Sequence, residues 1–222
     1  MIIVHHLNNS RSQRVLWLLE ELALPYEIKH YQRDAKTNLA PPELKKVHPL
    51  GKSPVVEDNG RLYAETGAII EHIVDNHGGG RLAPAPGTAE YDRYKYWLHA
   101  AEGSYMPPLV FALFLGRMET AKMPFFAKPI AKRLTQGVRD GYLTQTTKAL
   151  FDYLDAELGK YPWLAGADFS AADVIMSFPI EASQARVEAA KGLKNVPAYL
   201  KKLHARPAFK KALERGGPYA LA

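Results

Sequence analysis

The 222-residue chain reads as an α/β domain followed by an all-α helical-bundle domain, and three observations carry that prediction. Its first third alternates short β-branched runs with an amphipathic helical pattern. A Gly- and Pro-dense stretch, His77 to Gly87, then permits neither helix nor central strand. Beyond it the apolar residues recur at helical spacing. The expected domains are therefore 1–80 and 88–222, joined by a linker over 81–87.

Each element has a local justification. Ile2-Ile3-Val4 is a short strand, and the polar stretch Asn8 to Ser12 supplies several helix caps. Val15, Leu18, Leu19 and Leu22 form one apolar face of a helix, with Arg11, Arg14, Glu20 and Glu21 expected on the exposed side. Leu24-Pro25 ends it, and Tyr26 to Tyr31 alternates like a second strand. A strand–helix–strand unit of this length implies parallel pairing with a right-handed crossover. Val55-Val56 and Leu62-Tyr63 flank Asp58-Asn59-Gly60, a strong hairpin signal. A helix from Glu65 to about Asn76 closes a βαβ-ββα order, that of a thioredoxin-like half-sheet.

In the second domain, Thr88 is an N-cap candidate for a long helix through Trp97 and Ala101, which Pro107-Pro108 should bend or break. Another helix is expected from near Thr135 through Leu150 to Leu158. Ser170-x-x-Asp173 with Phe169 before it is a capping box with a hydrophobic staple. Pro197 and Pro207 sit near the first turns of short helices.

The chain has no cysteine, which excludes disulfides, thiolate metal sites and a cysteine nucleophile of its own. Any thiol chemistry must use a thiol brought by a ligand. The longest apolar run, Leu109 to Leu115, is far short of the roughly 20 residues that span a bilayer. The opening Met1-Ile2-Ile3-Val4-His5-His6 is too short for a signal-peptide core, so a cytoplasmic protein is expected, with no membrane partner. The net charge is +6, and it is uneven: residues 1–80 hold 9 Lys/Arg against 10 Asp/Glu, residues 81–222 hold 20 against 13. The basic residues fall at helical spacing among apolar ones, without a nucleic-acid-binding motif, so no nucleic-acid partner is expected. An anionic ligand would still be drawn toward such a surface.

Three separated segments suit one small peptide ligand. Pro54 heads a strand without a ladder N–H, implying an edge, a bulge or a cis bond. A cis Ser53-Pro54 bond would turn the Ser53 backbone outward to pair with an extended peptide. Lys52, helped by His48, is placed to meet a terminal carboxylate. Glu65-Thr66 at a helix mouth suits a zwitterionic amino-acid head, Glu65 taking the ammonium and Thr66 with the helix N-terminus taking the carboxylate. The loop Asn8-Asn9-Ser10-Arg11-Ser12, at the end of the first strand, offers donors and a helix dipole to a thiolate. Lowering a thiol pKa by two units takes about 2.7 kcal/mol, within reach of one or two charge-assisted hydrogen bonds. The adjacent His5 and His6 point to opposite strand faces and cannot easily ligate one ion, so they are expected to be structural or solvent-facing, with no metal.

Together these residues make the whole chain resemble a soluble glutathione S-transferase. The resemblance rests on the polar loop before a Leu-rich helix, Gly51-Lys52-Ser53-Pro54 in place of Gly-x-Val-Pro, and Glu65-Thr66 in place of Glu-Ser. It continues through Leu62 to Ile70, the Gly/Pro linker and the Ser-x-x-Asp box. It implies a homodimer that binds glutathione as co-substrate, mainly through the first domain, and a small hydrophobic electrophile in an adjacent pocket lined by the second. No tightly bound cofactor is implied. Aligning Arg14-Val15-Leu16 puts Asn9 where serine-type classes carry their catalytic serine and Ser10 one residue later, and either can donate to a thiolate. Tyr105, Pro108 and Leu109 are the residues the resemblance suggests for the electrophile pocket. Two other functions fit the same fold: a non-catalytic glutathione-binding or protein-interaction module, and glutathione-dependent peroxide reduction.

Overall fold

The computed structural model describes residues 1–219. Its first half is β1 (Ile2–Leu7), α1 (Gln13–Glu21), β2 (Tyr26–Tyr31), α2 (Glu43–Val47), β3 (Val55–Asp58), β4 (Arg61–Ala64) and α3 (Thr66–His77). The sheet order is β2-β1-β3-β4, with β1 and β2 parallel and the other pairs antiparallel. This is the anticipated thioredoxin-like arrangement. The β3–β4 turn has Asn59 at φ 49° and Gly60 at φ 77°, the two positive values that a type I′ hairpin requires. β3 is an interior strand, so Pro54 marks no edge; the Ser53-Pro54 peptide is cis. The short helix α2 lies in a stretch that periodicity left unassigned.

The second half is helical: α4 (Ala89–Ala100), α5 (Met106–Thr120), α6 (Ala127–Val138), α7 (Thr144–Lys160), α8 (Ala171–Arg186), α9 (Val196–Ala205) and α10 (Pro207–Gly216). Pro107-Pro108 does not break the first of these. A π turn over Ala101–Tyr105 joins α4 to α5, and the prolines fall in the first turn of α5, where a helix tolerates a missing N–H. A second π turn, Arg139–Leu143, joins α6 to α7, so the helix expected from Thr135 is two helices, the first starting at Ala127. The α8 capping box forms as expected, Ser170 N–H donating to Asp173 Oδ2 at 2.8 Å. Thr88 likewise caps α4 through the Tyr91 N–H.

One hydrophobic core crosses both halves. Val15, Leu16, Leu18 and Leu19 of α1 pack with Ile69, Ile70 and Ile73 of α3 and with Trp97 and Ile175 of the helical half. α1 is covered on nearly every side, which corrects the expectation of an exposed polar face. Arg14 is 2% exposed. Glu20 and Glu21 lie against α10 and its approach, where Arg206 holds Glu21 at 2.6 Å and Lys211 holds Glu20 at 2.7 Å. Gly216 is a close approach: a Cβ there would come within 2.4 Å of Gln13 Oε1 and 2.5 Å of Leu16 Cδ1.

Candidate functional site

The segment before β3 is stapled to β1. Ser53 Oγ donates to the His5 carbonyl (2.9 Å) and accepts from Leu7 N–H (3.3 Å), so its side chain serves the sheet and its backbone is left to face the cleft. Gly51 turns at φ 59°, and its N–H donates to His48 O at 2.8 Å, which sets Lys52 after a tight corner. Across β4, Glu65 precedes α3 at φ 70°, a conformation that a non-glycine residue holds only at a cost. Thr66 is 3% exposed, and its hydroxyl accepts from Arg14 Nη2 at 3.4 Å. The structure brings His48, Lys52, Ser53, Pro54, Glu65 and Thr66 together around one hollow of about 70 Å³, with Arg11 on its rim.

The loop between β1 and α1 carries a directed chain of hydrogen bonds. His6 Nε2 lies 2.9 Å from the Gly216 carbonyl, a contact only an N–H can make. His6 is buried, and burial lowers its pKa, so it is neutral and its Nδ1 is an acceptor. Ser12 Oγ, 2.8 Å from Nδ1, therefore donates to it, and Ser10 Oγ donates to Ser12 Oγ at 2.7 Å. The Ser10 oxygen in turn accepts from Ser12 N–H at 3.3 Å. Ser10's only hydroxyl proton thus points inward. Asn9 is exposed on the cleft at φ 49°, and Arg33 fixes the loop by donating to the Asn8 and Asn9 carbonyls at 3.1 and 3.3 Å. His5 is also buried, its Nδ1 2.9 Å from the Tyr31 hydroxyl, and burial lowers its pKa too.

Beneath the loop, Arg14 ties the two halves together. It donates to the Ile175 carbonyl of α8 (2.7 Å), to Glu102 of the π turn (2.5 Å) and to Thr66 at the start of α3. Arg11 takes the other Glu102 oxygen at 2.5 Å. Burial alone would raise the Glu102 pKa, but the two guanidinium groups hold it below the ordinary glutamate value. Sequence reasoning missed this hub, because a lone arginine on an amphipathic helix is assigned to the surface by default.

A larger cleft of about 730 Å³ continues from Asn9 and Lys52 toward the helical half. Its apolar wall is Met106, Val110 and Leu113 of α5 with Phe178 of α8. Tyr105, Pro108 and Leu109 do not line it. Tyr105 and Leu109 are 0% exposed, Pro108 is buried, and the Tyr105 hydroxyl donates to Leu150 O. The π turn inserts one residue into the helical phase, which rotates every later position by about 100°. The lining positions therefore fall at Met106 and Val110, one residue beyond Tyr105 and Leu109.

The rest of the molecule offers one metal-like cluster among the described residues, Asp58 with His72 and His77. It ties β3 to α3, both imidazole Nε2 atoms meeting Asp58 Oδ2 at 2.9 and 2.7 Å. No helix among the described residues is long and apolar enough to cross a membrane.

Comparison with known proteins agrees with this geometry. Residues 1–75 match the family of the glutathione S-transferase N-terminal domain, and residues 117–207 that of the C-terminal domain. Glutathione S-transferase 3 of Schizosaccharomyces pombe is 39% identical, over 97% of this chain and 88% of its own. Glutathione S-transferase 1 of Saccharomyces cerevisiae is 36% identical over 82% of this chain and 80% of its own. The crystal structure of a glutathione S-transferase from Actinobacillus pleuropneumoniae superposes with a TM-score of 0.80 at 32% identity, covering 99% of this chain and 94% of that one. With its paired domain matches, its relatives and its cleft, this chain belongs to the glutathione S-transferase family.

Proposed function

We propose that this chain is a glutathione transferase in which Asn9 stabilises the glutathione thiolate for attack on an electrophile lying against Met106, Val110 and Leu113. The observation that carries the reading is the convergence of His48, Lys52, Ser53, Pro54, Glu65 and Thr66 on one hollow next to the β1–α1 loop. Glu65 takes the ammonium of the γ-glutamyl end, while Thr66 and the exposed N–H groups of α3 take its carboxylate. The Ser53 backbone pairs with the cysteinyl residue. Lys52, with His48, meets the glycine carboxylate. The sulfur then lies over the β1–α1 loop.

Asn9 is favoured over Ser10 because the Ser10 proton is committed to Ser12, whereas Asn9 is exposed on the cleft and its side chain is a hydrogen-bond donor by nature. The enzyme then lowers the thiol pKa and holds two reactants together; the chain itself needs to move no proton.

The test is the thiolate absorbance of bound glutathione followed against pH. Asn9→Ala should return the thiol pKa toward its ordinary value near 8.5, and Ser10→Ala should leave it depressed. The reverse pattern would transfer the role to Ser10. An unshifted pKa in the native protein, with good binding, would make the chain a binding module.

A homodimer is part of the same reading. α6 turns its apolar stripe outward, with Ile130 60%, Leu134 65% and Val138 38% exposed, beside Phe114 and Met118 of α5. An unpartnered stripe of this kind suits a second copy. Light scattering on Ile130→Glu/Leu134→Glu should show monomers. A cytoplasmic setting follows from the need for reduced glutathione.

A further inference from the structure

Asp58, His72 and His77 form a cluster that the tripeptide site does not use. Asp58 closes β3, His72 lies midway along α3, and His77 is the last residue of that helix. None of the three lines the hollow or the larger cleft. One nitrogen from each ring and one carboxylate oxygen all lie within 4.8 Å of one another.

Hydrogen bonding alone does not complete this cluster. Both imidazole Nε2 atoms donate to the same oxygen, Asp58 Oδ2. The other carboxylate oxygen, Oδ1, is buried with no hydrogen-bond partner among the described residues, on a side chain that is only 6% exposed. A buried acceptor left unpaired is costly unless a further donor or a cation supplies it. No lysine or arginine pairs with Asp58 among the described residues; its ion-pair partners are the two imidazoles.

The rings are also held in the orientation that ligation requires. His72 stacks on Tyr63 with 3.7 Å between centroids, and the two imidazoles meet edge to face at 79°. Asn76 Nδ2, which can only donate, lies 3.1 Å from His72 Nδ1 and so directs the Nε2 of that ring at Asp58. A ligating imidazole needs an acceptor for its Nδ1–H, and the Asn76 amide supplies one when it turns to present its oxygen.

We infer that Asp58, His72 and His77 bind one divalent transition-metal ion of the zinc type, which takes the place of the two Nε2 protons and locks α3 onto β3. Two imidazole nitrogens with one carboxylate oxygen are a zinc-like donor set, unlike the all-oxygen shells of calcium and magnesium. Tetrahedral bonds of about 2.1 Å set donor atoms roughly 3.4 Å apart, so the pairs at 2.9 and 2.7 Å open by about half an ångström to admit the ion. The carboxylate then shares the ion's charge, which answers the unpaired Oδ1. Both rings are partly exposed, which leaves the ion an entry path and water a fourth position. An ion held by the folded β3–α3 arrangement stabilises it in proportion to its occupancy.

The test uses the chain without an affinity tag, stripped of metal by a chelator. Calorimetry with Zn2+ should show one site of low-micromolar Kd, and saturating Zn2+ should raise Tm by several degrees. His77→Gln, which keeps a side-chain donor for Asp58 and should fold normally, should weaken Zn2+ binding at least tenfold and abolish the rise in Tm. His99→Gln, at an exposed histidine outside the cluster, should change neither. Histidine-ring NMR locates the ion in the native chain without any variant: Zn2+ should move the His72 and His77 signals and leave those of His30 and His99 in place. No saturable Zn2+ binding, a Tm unmoved by saturating Zn2+, binding that survives His77→Gln, or shifts confined to other histidines would overturn the inference. Each of these results leaves the glutathione reading in place, because the two sites share no residue.

Discussion

On the side of the cleft formed by residues 48–66, the lining residues are placed by a tight corner, a cis peptide and a helix start, each set by a few consecutive residues. On the side formed by α5 and α8, they are side chains whose direction depends on the phase of long helices. The contrast explains why the first side was legible in the sequence and the second was not. Gly51 to Pro54 and Glu65-Thr66 carry their geometry in their own residue types. The α5 wall takes its direction from the π turn at Ala101–Tyr105, which no apolar period announces. The same holds for residues that reach this cleft from separated segments. Arg33, Arg117 and Arg186 look like solvated surface charges until the fold gathers them.

The joint between the two sides is the place where the contrast can be broken outright. Arg14→Ala would strand Glu102 half-buried beside one remaining partner and free the α3 start from α8. Losing one member of such a pair costs about 3 kcal/mol. At about 2–4 °C per kcal/mol for a chain of this size, Tm should fall by roughly 6–12 °C in a thermal scan.

The side formed by residues 48–66 should respond next. Removing one charge-assisted contact is worth roughly 1.5–3 kcal/mol. Glu65→Ala should therefore raise the Kd for glutathione by about 10- to 100-fold in calorimetry, with stability nearly unchanged. Native-like affinity in this variant would remove the functional meaning of the 48–66 side.

The sheet beneath that side has its own pH limit. Burial would raise the Asp58 pKa, but its hydrogen bonds to His77 and His72 outweigh this and hold the carboxyl below the usual aspartate value. A depressed pKa gives stability that is present above the unfolded value near 3.9 and lost as pH falls through the folded one. Urea midpoints should therefore drop below roughly pH 4, and Asp58→Asn should flatten that part of the profile.

The smallest effects sharpen the helical side. Tyr105→Phe removes a buried hydroxyl from Leu150 O and should cost about 1 kcal/mol in urea denaturation, with the KM for electrophile unchanged. Val110→Ala removes partly exposed apolar surface from the cleft wall, and should raise that KM about threefold with little loss of stability. If Tyr105→Phe moved KM and Val110→Ala did not, the phase argument would fail.

The histidine–serine chain behind the β1–α1 loop ends on the Gly216 carbonyl, 210 residues downstream of His6. Contacts of such sequence separation have a consequence for biosynthesis. While the ribosome is still extending the chain, the amino-terminal sheet can assemble, but Ser10 and Ser12 lack the anchor that gives their protons a direction. Premature termination before Arg206 would leave Glu20 and Glu21 without their basic partners, and the truncated product should be cleared by proteases rather than persist as an autonomous glutathione-binding fragment.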